Sequence, residues 1–96
     1  MAKVITVVEA VVAPEARARL VQEYNALTDM PAGLIQSFLQ QSASDPNVWQ
    51  VISIWENMDA LEKMRATSDT PAAIAVFQKV GAMPVVKIFT ILVEKK

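Results

Sequence analysis

Three observations predict an α+β fold, a ferredoxin-like split βαββαβ with one antiparallel sheet and helices on one face. Four segments are rich in Val, Ile, Leu and Phe in strand-like runs. Stretches with 3- and 4-residue apolar spacing separate the first strand from the second and the third from the fourth. Only Ser44-Asp45-Pro46-Asn47 separates the two middle strands, so they form an antiparallel hairpin.

The elements follow in order. Residues 3–12 have β-branched strand composition, with Thr6 and Glu9 as the polar members. Pro14 suits the first turn of a helix, where Glu15 meets the positive helix end. Between residues 14 and 28, Arg17, Leu20, Val21, Tyr24 and Leu27 form one stripe of an amphipathic helix. Residues 29–33 are a turn. Strict alternation over residues 34–42 places Leu34, Phe38 and Gln40 on one face and Ile35, Ser37, Leu39 and Gln41 on the other. In residues 48–56, Trp49, Val51, Ser53 and Trp55 oppose Val48, Gln50, Ile52 and Ile54. Asn57 caps a helix carrying Met58, Leu61 and Met64, which breaks at residues 67–70. Thr70 is placed to cap a second helix with Pro71 at its first position, and Ile74, Phe77 and Val80 lie on its apolar side. Gly81 and Pro84 end that helix, and residues 85–94 form the last strand.

Composition excludes several classes of function. The 96 residues are 53% hydrophobic and 20% charged, as in one folded domain spanning 1–96 and unlike a disordered chain. Net charge is −1 with no basic cluster, which argues against nucleic acid as a partner. There is no Cys and no His, so disulfides, zinc sites, thiol nucleophiles and histidine acid–base chemistry are ruled out. The opening Met1-Ala2-Lys3 and its apolar run resemble a signal peptide, but Glu9 interrupts the run and it reads as a strand. No segment reaches the roughly 18 uncharged apolar residues of a membrane span, so neither a membrane nor export is expected and a cytoplasmic protein is.

The outer strands are apolar on both faces. Val4, Val8 and Val12 oppose Ile5, Val7 and Val11, while Phe89, Ile91 and Val93 oppose Val86, Ile88 and Leu92. Helices cover one sheet face only, so a second copy of the sheet is expected on the other, giving a homodimer with twofold symmetry. Whether Ile88 or Ile91 points at the partner depends on register, which periodicity leaves open.

The run Val51-Ile52-Ser53-Ile54-Trp55-Glu56-Asn57-Met58-Asp59-Ala60-Leu61 resembles the antibiotic biosynthesis monooxygenase family of dimeric α+β barrels. The Ala32-Gly33-Leu34 strand start and the Asp45-Pro46-Asn47 turn are similar to that family as well. The resemblance implies a dimeric barrel without cofactor, acting as a monooxygenase or related isomerase on a small, planar, enolisable or aromatic compound. It also implies alternatives, because the superfamily hosts very different functions. Oxygenating members place an Asn four residues before the Trp, where this chain has Val51; haem-degrading members use a His, which it lacks. A non-catalytic ligand-binding or assembly module of the same fold is therefore the rival reading.

Trp55, Tyr24, Met64, Phe77 and Asn57 are the candidate substrate-binding residues, with no catalytic residue and no metal ligand assigned. Trp55 would stack on a flat compound, with Asn57 or the ligand accepting from its indole N–H. Met58, Met64, Ile74 and Phe77 suit an adaptable apolar lining, and equally an ordinary core. Arg65 could meet an anionic group, and Glu56 could act as a base if desolvated. Trp49 reads as core or rim.

Overall fold

The computed structural model describes residues 2–28, 30–67 and 70–95. Strand β1 (Val4–Val11) leads through a 3-10 turn at Pro14–Ala16 into α1 (Arg17–Asn25). The hairpin of β2 (Leu34–Gln41) and β3 (Val48–Trp55) follows, then α2 (Met58–Thr67), α3 (Ala72–Lys79) and β4 (Val85–Thr90). The sheet order is β2-β3-β1-β4, with every neighbouring pair antiparallel. This is the predicted α+β arrangement of a split βαββαβ.

Alternation assigns the two sheet faces. In β1 the even-numbered residues Val4, Thr6, Val8 and Ala10 are buried. Register places Trp55, Ser53, Val51 and Trp49 of β3 opposite them. Leu20 of α1, Leu61 of α2, and Val76 and Phe77 of α3 are the buried helical residues above this face. Pairing puts Ile5, Val7, Ile52, Ile54, Phe38 and Phe89 on the opposite face, which no helix among the described residues covers. Pairing answers the register question for Ile88, which lies opposite Thr6 and looks toward the helices, whereas Phe89 lies opposite Ile5 on the bare face; Ile91 falls beyond the end of β4.

Several elements differ from the sequence expectation. The predicted helix over 14–28 opens as a 3-10 turn and ends at Asn25, so Leu27 falls beyond it; Val21 and Leu27 are 39% and 37% exposed. Leu20 and Tyr24 carry the packing instead. The last strand stops at Thr90 rather than near residue 94. The Ile91 N–H still donates to the Lys3 carbonyl at 2.9 Å, after which Leu92 and Val93 stand 87% and 78% exposed. Pro71 occupies the N-cap of α3 rather than its first position, and as a proline it makes no side-chain cap hydrogen bond. Asp29, Ser68 and Asp69, in the predicted turn and helix break, lie outside the described residues.

The largest departure is in β2. Strict alternation puts Leu34 on the face opposite Ser37, but an irregularity between Leu34 and Gln36 shifts the register, pairing Leu34 with Trp55 and Ser37 with Ser53. One extra residue at Ile35 thus brings Leu34, Ser37 and Leu39 to the helix side together. Leu34 joins the packing around Val4, Trp55 and Leu61, and Leu39 packs against the cluster around Val8, Trp49 and Phe77.

The end of α3 follows the sequence. Gly81 has φ +78°, its N–H donates to the Gln78 carbonyl, and the next N–H, from Ala82, reaches the Phe77 carbonyl, both at 3.0 Å. This pair of bonds closes a helix through a left-handed residue, a conformation that glycine adopts without steric cost.

Candidate functional site

Buried apolar packing under the helices divides into two clusters. One gathers Val8, Trp49, Val51, Leu20, Val76 and Phe77; the other gathers Val4, Trp55 and Leu61. Between them opens a cavity of about 500 Å³. Its floor is the helix face of the sheet, including Thr6, Ser37, Ser53, Trp55 and Ile88, and its walls include Tyr24, Met64 and Ile74. The volume lies within the roughly 300–1,000 Å³ of small-molecule sites, and the wall is predominantly apolar as such sites require.

Register explains why the packing separates there. Ser37 of β2 pairs with Ser53 of β3, and Ser53 pairs with Thr6 of β1. Three adjacent strands therefore place a hydroxyl side chain in one row across the sheet. The neighbouring row is Leu39, Val51, Val8 and Val86, and it is apolar. Tyr24 descends from α1 onto the row, its hydroxyl 2.7 Å from Ser37 Oγ, and Ser37 Oγ lies 3.4 Å from Ser53 Oγ. The Trp55 indole N–H donates to Thr6 Oγ1 at 3.2 Å. Thr6 and Ser53 are themselves buried.

The candidate residues separate accordingly. Trp55, Tyr24 and Met64 share the cavity wall, with Arg65 beside Met64. Phe77 is fully buried in the larger cluster and is not on the wall. Asn57 is also off the wall: its Oδ1 accepts the Ala60 N–H at 2.9 Å, which makes it the cap of α2. The expected indole partner, Asn57 or a ligand, is replaced by Thr6. Trp49 is buried, and its indole donates to the Pro46 carbonyl at 3.1 Å, pinning the hairpin turn. Glu56 and Met58 are exposed and off the wall. Thr6, Ser37 and Ser53 were not singled out from the sequence. Their signal is that they are polar exceptions on inward strand faces, and only register shows them to be neighbours.

Among the described lining residues Arg65 carries the one formal charge, and there is no carboxylate. Its guanidinium is 3.9 Å from Glu62, a loose pair in which both side chains are more than half exposed. Among the described residues no group of acidic, His or Cys side chains could hold a metal ion, and no helix is long and apolar enough to cross a membrane.

A split βαββαβ sheet with an apolar, hydroxyl-floored cavity between sheet and helices defines a small α+β domain. A family profile described as Antibiotic biosynthesis monooxygenase matches residues 1–76, and the chain belongs to that family. Solved structures agree on the fold. The Mycobacterium tuberculosis protein Rv0793 superimposes with a TM-score of 0.71 at 20% identity, over 98% of this chain and 99% of that one. PA3566 from Pseudomonas aeruginosa gives 0.62 at 23% identity, over 95% and 93%. SnoaB, a cofactor-independent oxygenase from Streptomyces nogalater, gives 0.61 at 16% identity, over 96% and 95%. No curated protein matches the chain's sequence.

Proposed function

We propose that this protein is a homodimeric domain that binds a small, planar, aromatic or enolisable compound in the sheet–helix cavity and oxygenates it without a cofactor. The observation that carries the reading is the 500 Å³ cavity itself, with an indole, a thioether and a row of hydroxyls on one apolar wall. Family membership and the fold shared with a cofactor-independent oxygenase support the reaction class. Oxygenation without a cofactor needs a substrate that forms a carbanion, and groups that hold its enolate oxygen. O₂ then turns a CH₂ of the substrate into a carbonyl: one oxygen atom enters the product, and the other leaves as water with the two hydrogens and two electrons that the substrate carbon gives up.

One observation favours a second reading, binding without turnover: Val51 stands where oxygenating relatives carry Asn, and it lies on the cavity wall as an aliphatic side chain. Titration of the protein with hydroxylated naphthoquinones and anthrones, followed by Trp emission and by oxygen uptake, separates the two. Binding with stoichiometric oxygen uptake supports the oxygenase. Binding with no uptake leaves the binding module. No binding by any planar probe overturns both.

A further inference from the structure

We infer that the helix-free sheet face is keyed to a second copy of this chain by two reciprocal ion pairs, Glu9 of each protomer with Lys87 of the other. The inference rests on the homodimer in the reading above and adds to it the contact that sets its register.

Strand pairing places the two charges. On this face the row Phe38, Ile52 and Val7 ends at Lys87 on β4, and the adjoining row Gln40, Gln50 and Glu9 ends at Val85. Glu9 and Lys87 are therefore diagonal neighbours on β1 and β4, and no other paired strand position on the face carries a charge. Glu9 is half-buried, and its carboxylate accepts from the Gln50 amide at 2.7 Å, a bond that leaves the charge unmatched. Lys87 is exposed. Among the described residues neither belongs to an ion pair, whereas Lys3, just before β1, is matched by Glu94 at 3.3 Å.

A partner sheet laid on this face takes both charges out of water, and each then opposes association unless it meets its opposite. Twofold symmetry offers two arrangements: each residue meets its own copy across the axis, or the two exchange places. Like on like sets carboxylate against carboxylate and ammonium against ammonium. Exchange sets Glu9 on the partner's Lys87 and Lys87 on the partner's Glu9, so both charges of both copies are matched. A face holding one charge of each sign is thus complementary to itself, which favours a second copy over an unrelated partner. Val7 and Ile52 flank the pair, and the low dielectric among such side chains penalises every register that separates the charges. The apolar rows supply the affinity. The ion pairs select the register, because a buried pair returns little more than its own desolvation cost.

The test uses Glu9→Lys, Lys87→Glu, the protein carrying both changes, and an equimolar mixture of the two single variants. Sedimentation equilibrium reads the dimer dissociation constant, and circular dichroism verifies folding. Each single variant should weaken the dimer by roughly tenfold or more. The protein carrying both changes, and the mixture, should return to within about threefold of wild type. The mixture is decisive, because there only contacts between chains join opposite charges; within each chain the two positions carry the same sign. Should a charge reversal unfold the chain, Glu9→Gln and Lys87→Met repeat the test with closer shapes: each alone leaves a buried charge unpaired and loosens the dimer, and the two in one chain restore it. A mixture no tighter than its components, single variants that dimerise like wild type, or additive losses in the neutral pair overturn the reciprocal pairing while the homodimer stands. A monomeric wild-type protein overturns the homodimer along with it.

Discussion

The α-carbon of Gly33 lies against the side chain of Ala60, so that the turn before β2 touches the first turn of α2 with no room for a side chain between them. A Cβ built on Gly33 would overlap the Ala60 Cβ, and Gly33 has φ +87°, in the left-handed region. The Glu56 N–H donates to the Gly33 carbonyl at 2.8 Å, tying the same turn to the end of β3. The Gly33 strand start and the Ala60-Leu61 pair, which carry part of the family resemblance, are therefore two sides of one contact. Gly33→Ala should destabilise the fold by about 2–4 kcal/mol, combining left-handed strain with overpacking. Urea denaturation measures it. Ala60→Gly in the Gly33→Ala background should recover part of the loss, whereas Ala60→Gly alone should cost about 1 kcal/mol. Strict additivity of the two changes would show that the contact does not matter.

Asn57 and the cavity should be separable. Since Asn57 Oδ1 caps α2 through the Ala60 N–H and the side chain is off the wall, Asn57→Ala should cost about 1 kcal/mol of stability. Affinity for a planar probe should stay within a factor of two at temperatures where the variant is folded. A tenfold loss of affinity in the folded variant would place Asn57 in ligand contact after all.

The two tryptophans should report different things. Trp55 lines the cavity, while Trp49 is tied to the Pro46 carbonyl within the larger cluster. A Trp49→Phe protein should keep its emission change on binding a planar probe, and a Trp55→Phe protein should lose it. Retention of the response in Trp55→Phe would move the bound probe away from the cavity.

Much of the fold could be read from residue pattern, because inward faces and turns carry local signals. Trp49, Val51, Ser53 and Trp55 share a face in a period-2 strand whatever surrounds them, and Gly81 followed by Pro84 ends α3 for local reasons. What escaped the sequence depends on contacts between segments distant in the chain. The irregularity at Ile35 reverses the facing of Leu34 relative to Ser37, and only pairing with β3 displays it. The hydroxyl row is missed for the same reason. Thr6, Ser37 and Ser53 are far apart in the chain and meet through two strand registers, and Tyr24 reaches them from a helix. Trp55 was legible as a pocket residue because a large amphipathic ring next to a capped helix is conspicuous. Its partner Thr6 was not, being 49 residues away in the chain.

Assembly gives the last prediction. The folded chain exposes 6349 Å², where size scaling for a compact monomer of 10.5 kDa gives only about 5,400 Å². The excess, on the order of 900 Å², is comparable with the roughly 800 Å² that each partner buries in a stable interface. Much of the bare sheet face is apolar: Phe38 is 36% exposed, Val11 69%, Val85 59% and Phe89 51%. A polar track crosses it, in which Gln40 donates to Gln50 at 2.6 Å and Gln50 donates to Glu9 at 2.7 Å. These side chains satisfy one another across three strands, so a second sheet can cover the track at a smaller desolvation cost than isolated polar groups would impose. The protein should therefore run as a dimer in light scattering at micromolar concentration. Phe89→Asp should dissociate or unfold it, since a carboxylate buried without a partner costs several kcal/mol. Met83→Asp, at a side chain 87% exposed in the loop before β4, should leave the mass unchanged. A wild-type protein that scatters as a stable monomer, or a Phe89→Asp variant that remains a dimer, would put the interface elsewhere than on the helix-free face.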